Sequence, residues 1–183
     1  LEEWRRVPEA FLATAANGAV FSDPLGRFTA VRRRLLEEFP EDLRYKRLAN
    51  RTAVMAQAGQ YNYPRCVKRG ETVAAGLALA EFVRAAMSLA YLLNRRYAPF
   101  YKWMHRGLRE LPRLPRLYEQ LEALFQAERG AEELIEGICL NAGAELRRQD
   151  LSGSQDPLLL AHSAELMARI RDPELRKTHI MED

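Results

Sequence analysis

From Val73 to Leu93 the chain is apolar at nearly every position, and on either side of that stretch apolar residues return every three or four places. Such spacing gathers them on one face of a helix. It predicts a short helix over Leu1 to Thr14, interrupted or started around Pro8. Helices follow over Ala30 to Phe39, ended by Pro40, and from Glu41-Asp42 to about Ala58. The long central helix runs from Thr72 to about Arg95. Pro99 starts or kinks the next, Pro99 to Leu111, and "LPRLP" (Leu111 to Pro115) marks another connection. Further helices are expected over Pro115 to Ala127, Ala131 to Arg148 and Pro157 to Arg171, with the residues from Asp172 frayed or forming one short helix.

Three segments break this period. In "NGAVFSDPLGRFT", Asn17 to Thr29, the pairs Val20-Phe21 and Arg27-Phe28 flank a turn-rich insert. That pattern predicts a small β-hairpin over about Ala19 to Thr29, with Thr29 capping the next helix. "GQYNYPRCVKRGE", Gly59 to Glu71, holds two glycines and a proline and reads as a loop or a broken helix. "DLSGSQDP", Asp150 to Pro157, reads as a loop in which Asp156 caps the following helix. The fold class is therefore all-α: a helical bundle over 30–183 around one long central helix at about 72–95. An N-terminal helix and hairpin over 1–29 precede it.

Composition narrows this further. With 183 residues, 48% of them hydrophobic and 29% charged, the chain reads as one folded domain and not as a disordered tail. The stretch from Val73 to Leu93 is long enough to span a bilayer. Glu81 and Arg84 near its middle would each cost about 2.5 to 3.5 kcal/mol there, so the expectation is a buried bundle helix and no membrane. A net charge of +3 does not demand a polyanionic partner, and nucleic acid is not expected as one. The local runs Arg32-Arg33-Arg34 and Arg44-Tyr45-Lys46-Arg47 read first as solvated helix faces. Cys66 and Cys139 have no metal-site spacing and read as reduced, partly buried thiols of a cytoplasmic protein. The chain starts at Leu1 and not at methionine, which reads as a piece of a longer protein.

Candidate chemistry clusters around the central helix. Glu81, Arg84, Ser88, Tyr91 and Arg95 fall at steps of three or four and share one face. The stripe is either an exposed edge with a Glu81–Arg84 ion pair or the floor of a cleft. Beyond Pro99, Trp103, Met104, Leu108 and Leu111 form an expected core side, with Lys102, Arg106 and Arg109 on the other. Tyr97 and Trp103 are then packing anchors that fix Lys102 at a cleft facing Arg65, Arg69 and the Glu81–Arg84 pair. Arg65, Lys68 and Arg69, feeding a helix N-terminus, suit an anionic group, although Glu71 would compete for the same amides. His105, His162 and His179 have no ligand spacing, so no metal site is expected. "SGSQDP" reads as a turn.

Several strings occur together in order: Trp4, Val7 and Pro8, then "GAVFSD" (Gly18 to Asp23) and "FPED" (Phe39 to Asp42). The Arg65…Arg69-Gly70-Glu71 element and "RRYAPFYKW" (Arg95 to Trp103) follow. Over about Trp4 to Leu111 they resemble a family of bacterial and archaeal domains of unknown function. Those domains usually follow a minimal nucleotidyltransferase domain related to aminoglycoside-modifying enzymes. The resemblance implies that this chain is the helical, substrate-side part, with Ala19 to Thr29 as a remnant of the preceding domain. It also implies that magnesium and a nucleoside triphosphate belong to the full-length protein, with no cofactor in this part. Arg65, Arg69, Glu71 and Lys102 match motif positions, and Arg65, Arg69 and Lys102 would face the triphosphate or the acceptor.

Two readings follow. In the first, the chain binds a small-molecule or anionic substrate, with Arg65, Arg69, Glu71, Glu81, Arg84, Tyr97 and Lys102 as the candidate site. Its partner is then an upstream nucleotidyltransferase domain. In the second, it is a non-catalytic module whose basic rim binds a protein or nucleic acid. Self-association as a homodimer is a further expectation.

Overall fold

The computed structural model describes residues 2–127 and 129–182. Leu1, where the first expected helix begins, and Asp183, at the expected end of the bundle, lie outside them. The helices are α1 (Glu2–Arg6), α2 (Glu9–Ala16), α3 (Arg27–Glu37), α4 (Glu41–Met55), α5 (Tyr63–Lys68) and α6 (Thr72–Leu93). They continue with α7 (Tyr101–Gly107), α8 (Leu117–Gln126), α9 (Ala131–Arg148), α10 (Leu159–Ala168) and α11 (Pro173–Lys177). The fold is all-α, and no strand occurs among the described residues.

The apolar stretch forms α6, and 12 of its 22 residues are buried. Its length and composition would also suit a membrane span, but here Phe82, Leu89 and Leu92 are fully covered by protein. α4 runs antiparallel beside it, contributing Leu43, Leu48 and Met55, and α10 packs on α4's other side through Leu159 and Leu166. At about 1.5 to 3 kcal/mol per buried aliphatic side chain, these positions hold the bundle together.

Gly59 to Glu71, expected as a loop or a broken helix, is mostly helix. α4 passes through a π-helical segment, Ala56–Asn62, straight into α5, so the only turn is Arg69 to Glu71. Gly59 lies against Phe82 so closely that a Cβ there would overlap the ring. The wider π turn also re-aims Gln60. Its Nε2 donates to Glu136 Oε2 (2.8 Å) and to the Pro157 carbonyl (3.1 Å), and its Oε1 accepts the Leu159 amide (3.0 Å). One amide side chain thus fixes the start of α10.

The expected β-hairpin at Ala19 to Thr29 is absent. Pro24-Leu25 turns, Gly26 takes the left-handed conformation (φ 64°), and α3 begins at once at Arg27. No partner strand is left for Phe21, which is 98% exposed. Asp23, and not Thr29, is the capping residue: its Oδ2 accepts the Thr29 amide at 2.8 Å. That bond holds the Asp23 carboxyl below its ordinary pKa.

The run Arg44-Tyr45-Lys46-Arg47 is not a solvated face either, since Arg44, Lys46 and Arg47 are buried. Arg44 Nε donates to the Leu92 carbonyl at the end of α6 (3.0 Å) and its Nη2 to Gln149 Oε1 (3.0 Å). Arg47 pairs with Glu9 (3.6 Å), and Lys46 Nζ donates to the carbonyls of Thr178 and His179. Buried cations persist here because each meets carbonyl or carboxylate oxygen.

Candidate functional site: a basic cleft at the α6–α7 corner

α6 ends in a locked corner. Asn94 donates to the Ala90 carbonyl (2.7 Å) and to the Arg113 carbonyl (3.2 Å), and accepts the Arg113 amide (2.9 Å). Arg95 takes a left-handed conformation (φ 53°), and the Arg96 amide returns to the Tyr91 carbonyl (3.0 Å), closing the helix end. Tyr97 then turns inward. Its hydroxyl accepts the Trp4 indole N–H (2.8 Å) and its ring stacks on Phe39 with centroids 4.8 Å apart. Tyr91 ties α7 down by donating to the Met104 carbonyl (2.9 Å), with its hydroxyl against Gly107. Burial pushes the Tyr91 phenol up to about 12, so it keeps its proton and serves as a fixed donor.

Between this corner and the α2–α3 pair lies a cleft of about 960 Å³. Arg95, Arg96, Lys102 and Arg106 line it, against a single carboxylate, Glu110. Arg95 is engaged by Glu41. Arg96, Lys102 and Arg106 form no ion pair with a carboxylate among the described residues. Arg32 takes up the carbonyls of Ala16 (3.0 Å) and Gly18 (2.6 Å) at the end of α2, so that helix end does not offset the cations. Positive charge is left facing water.

Trp103 is not the core anchor that its place opposite Lys102 predicts. It is 51% exposed, and Phe100 is 53% exposed. The Lys102 ammonium sits 5.5 Å from the Trp103 ring and 6.0 Å from the Phe100 ring. Met104, Leu108 and Leu111 supply the buried side.

The expected gathering of Lys102 with Arg65, Arg69 and the Glu81–Arg84 pair does not form. α6 alone, at 22 residues, separates its two ends by about 33 Å. Arg65 lies at the far end, over the Tyr61 ring (4.6 Å), with Arg69 and Glu71 exposed at the turn into α6. Glu81 and Arg84 pair with each other on the surface at 3.2 Å, the exposed-edge arrangement. Further along that stripe Ser88 and Tyr91 are buried, with Ser88 accepting a bond from Arg51 (2.9 Å), and Arg95 is exposed. Of the predicted site residues the structure brings together Tyr97 and Lys102, and it adds Arg96 and Arg106. Arg106 lies one turn from Lys102 on the same helix face, a spacing already visible in sequence. The opposite wall, Asn17 and Leu36, carries no such signal.

Two other polar clusters have structural explanations. A second cleft of about 600 Å³ gathers Arg44, Arg95, Arg113, Arg148 and Arg169 with Glu41 and Asp150. The C-terminal ends of α6, α9 and α10 converge there, each equivalent to about half a negative charge. Together with Glu145, which pairs with Arg148 and, at 3.8 Å, with Arg113, they nearly neutralise the arginines. Elsewhere, Ser152, His162 and Glu165 come together, yet Ser152 donates its proton to Glu165 Oε2 (2.6 Å). His162 Nδ1, 2.9 Å from the same hydroxyl, must then be the donor, the reverse of what a nucleophile needs from its base. Glu165 instead accepts the Gly153 and Ser154 amides and shapes the loop (2.6 and 3.3 Å). Cys139 is fully buried, which raises its thiol pKa and leaves it unreactive, while Cys66 is partly buried.

Over residues 4–104 the chain matches the family described as Domain of unknown function (DUF4037). It belongs to that family. No curated protein and no solved structure matches it. The family segment of the chain runs from Trp4 through Met104, and so spans both the Trp4–Tyr97 bond and the Lys102 side of the cleft.

Proposed function

We propose that this chain is the helical, acceptor-side part of a nucleotidyltransferase-superfamily protein, and that the α6–α7 cleft binds the anionic group of its substrate or nucleotide. One observation carries the reading: Arg96, Lys102 and Arg106 face a single open cleft without carboxylate partners. Guanidinium groups suit a phosphate because their donors match its oxygens two at a time. The nucleotidyltransferase connection comes from the resemblance of "RRYAPFYKW" and the strings before it. A triphosphate fits this cation set. Magnesium is what the resemblance implies for the full-length protein, and among the described residues no three His, Cys, Asp or Glu side chains gather.

Calorimetric titration of the 183-residue chain with pyrophosphate, without metal, tests the proposal. Arg96→Gln and Arg106→Gln should each weaken binding about tenfold, the scale of one charge-assisted hydrogen bond. Arg65→Gln and Arg69→Gln should leave it unchanged. Equal affinity in all four variants would refute the cleft.

A second reading, a protein-interaction module, draws on the outer surface of α2 and α3. Phe11 is 67%, Leu25 76% and Val31 58% exposed there, beside Arg27, Arg33 and Arg34. Exposed apolar groups together with basic side chains suit a protein partner. If this reading alone is right, pyrophosphate will not bind at all.

A further inference from the structure

Two half-exposed aromatic rings standing in a cationic cleft call for a reason, because water-facing Trp and Phe side chains at a corner contribute little to the core. Phe100 and Trp103 both line the cleft beside Arg96 and Arg106, with the Lys102 ammonium 6.0 and 5.5 Å from their ring centres. Neither ring is needed to fix the corner, which is secured by Tyr97 on Trp4 and Phe39 and by Tyr91 on Met104.

We infer that the cleft selects a small aromatic anion: a flat ring lies on Trp103 or Phe100 while its phosphate or carboxylate meets Arg96 and Arg106. The inference rests on the anion-binding reading above and names the class of molecule that site takes. Lys102 links the two halves of the site. Its contact with the rings is long and half-solvated, hence weak. On arrival of the anion, the ammonium swings from the ring faces to the negative group, and the vacated face receives the ligand's ring. Stacking against an exposed aromatic and a charge-assisted bond are then formed together. This combination disfavours both a bare anion and a neutral aromatic.

The test compares phenyl phosphate, methyl phosphate and benzyl alcohol on the 183-residue chain by ligand-observed NMR and calorimetry. Phenyl phosphate should bind about tenfold more tightly than methyl phosphate, the equivalent of one stacked ring, and benzyl alcohol should not bind measurably. In the double variant Trp103→Leu, Phe100→Leu the gap between the two phosphates should close. Arg106→Gln should weaken both phosphates by the same factor. If methyl phosphate binds and phenyl phosphate binds no better, or if the gap survives loss of both rings, the aromatic inference is wrong and the anion site stands. If neither phosphate binds, both fall.

Discussion

Asp42 and Lys46, one turn apart on α4, grip the two ends of α11. Asp42 accepts the amides of Arg171 (3.1 Å) and Asp172 (2.8 Å) before the helix, and Lys46 donates to the carbonyls of Thr178 and His179 after it. The signs match the helix dipole, negative at its start and positive at its end. α11 has five residues, far too few to be helical alone. Its conformation is therefore imposed from α4.

Replacing the buried lysine should show this. Lys46→Met keeps an apolar stem of similar shape but removes the donor to the Thr178 carbonyl and leaves the His179 carbonyl with the Glu182 amide alone (2.9 Å), at a cost of about 1 to 3 kcal/mol. Chemical denaturation reads the loss, and amide exchange should accelerate over residues 173–180 while α6 stays protected. Unaltered exchange at α11 would rule out the clasp.

Two glycines make opposite predictions. Gly59→Ala forces a methyl into the Phe82 ring and should destabilise the protein by about 1 to 3 kcal/mol. Gly76, in α6 with open space around it, should gain about 0.5 to 1 kcal/mol on substitution by alanine. Melting temperatures of the two variants should move in opposite directions.

At the corner, Tyr97 should matter more to the fold than Trp103 does. Tyr97→Phe removes the acceptor of the Trp4 indole and should cost about 0.5 to 1.5 kcal/mol. Trp103→Ala, at a half-exposed ring, should cost about 1 kcal/mol or less. A loss of several kcal/mol on removing Trp103 would show that its ring is buried in solution.

His162 predicts a pH window. Burial, and then the nearby Arg147, lower its pKa below the ordinary value, so the folded state binds the proton less readily than the unfolded chain does. Stability should therefore fall as pH drops below about 6.5, where the unfolded chain begins to take up that proton. The decline levels off below the folded pKa. His162→Gln should flatten this slope; a slope unchanged in the variant would assign it to other groups.

The parts of the fold that were legible in sequence are those set by local pattern. The apolar run of α6, the stop at Pro40 and the fresh start after Pro99 each follow from residues within a few positions. Arg44 is the contrary case. Its partners, the Leu92 carbonyl and Gln149, lie 48 and 105 positions away, so a basic run that reads as solvated is in fact buried. The same limit applies to the cleft. Lys102 and Arg106 share a helix face and could be paired from spacing alone, whereas the α2–α3 wall opposite them depends on tertiary packing. Trp103 stands half-exposed on the face that spacing assigns to the core, because helical phase gives a face and not its cover.

The π segment at Ala56–Asn62 makes chain length itself a structural variable. An α-helix turns by about 100° per residue and a π turn holds about one residue more, so these residues wound as plain α-helix at the same length would rotate everything beyond them by roughly that angle. Gln60 would swing away from Glu136 and Leu159, and Tyr63 to Lys68 would present a different side to α6. Loss of one residue from the turn would instead close it to α geometry and leave those contacts nearly in register.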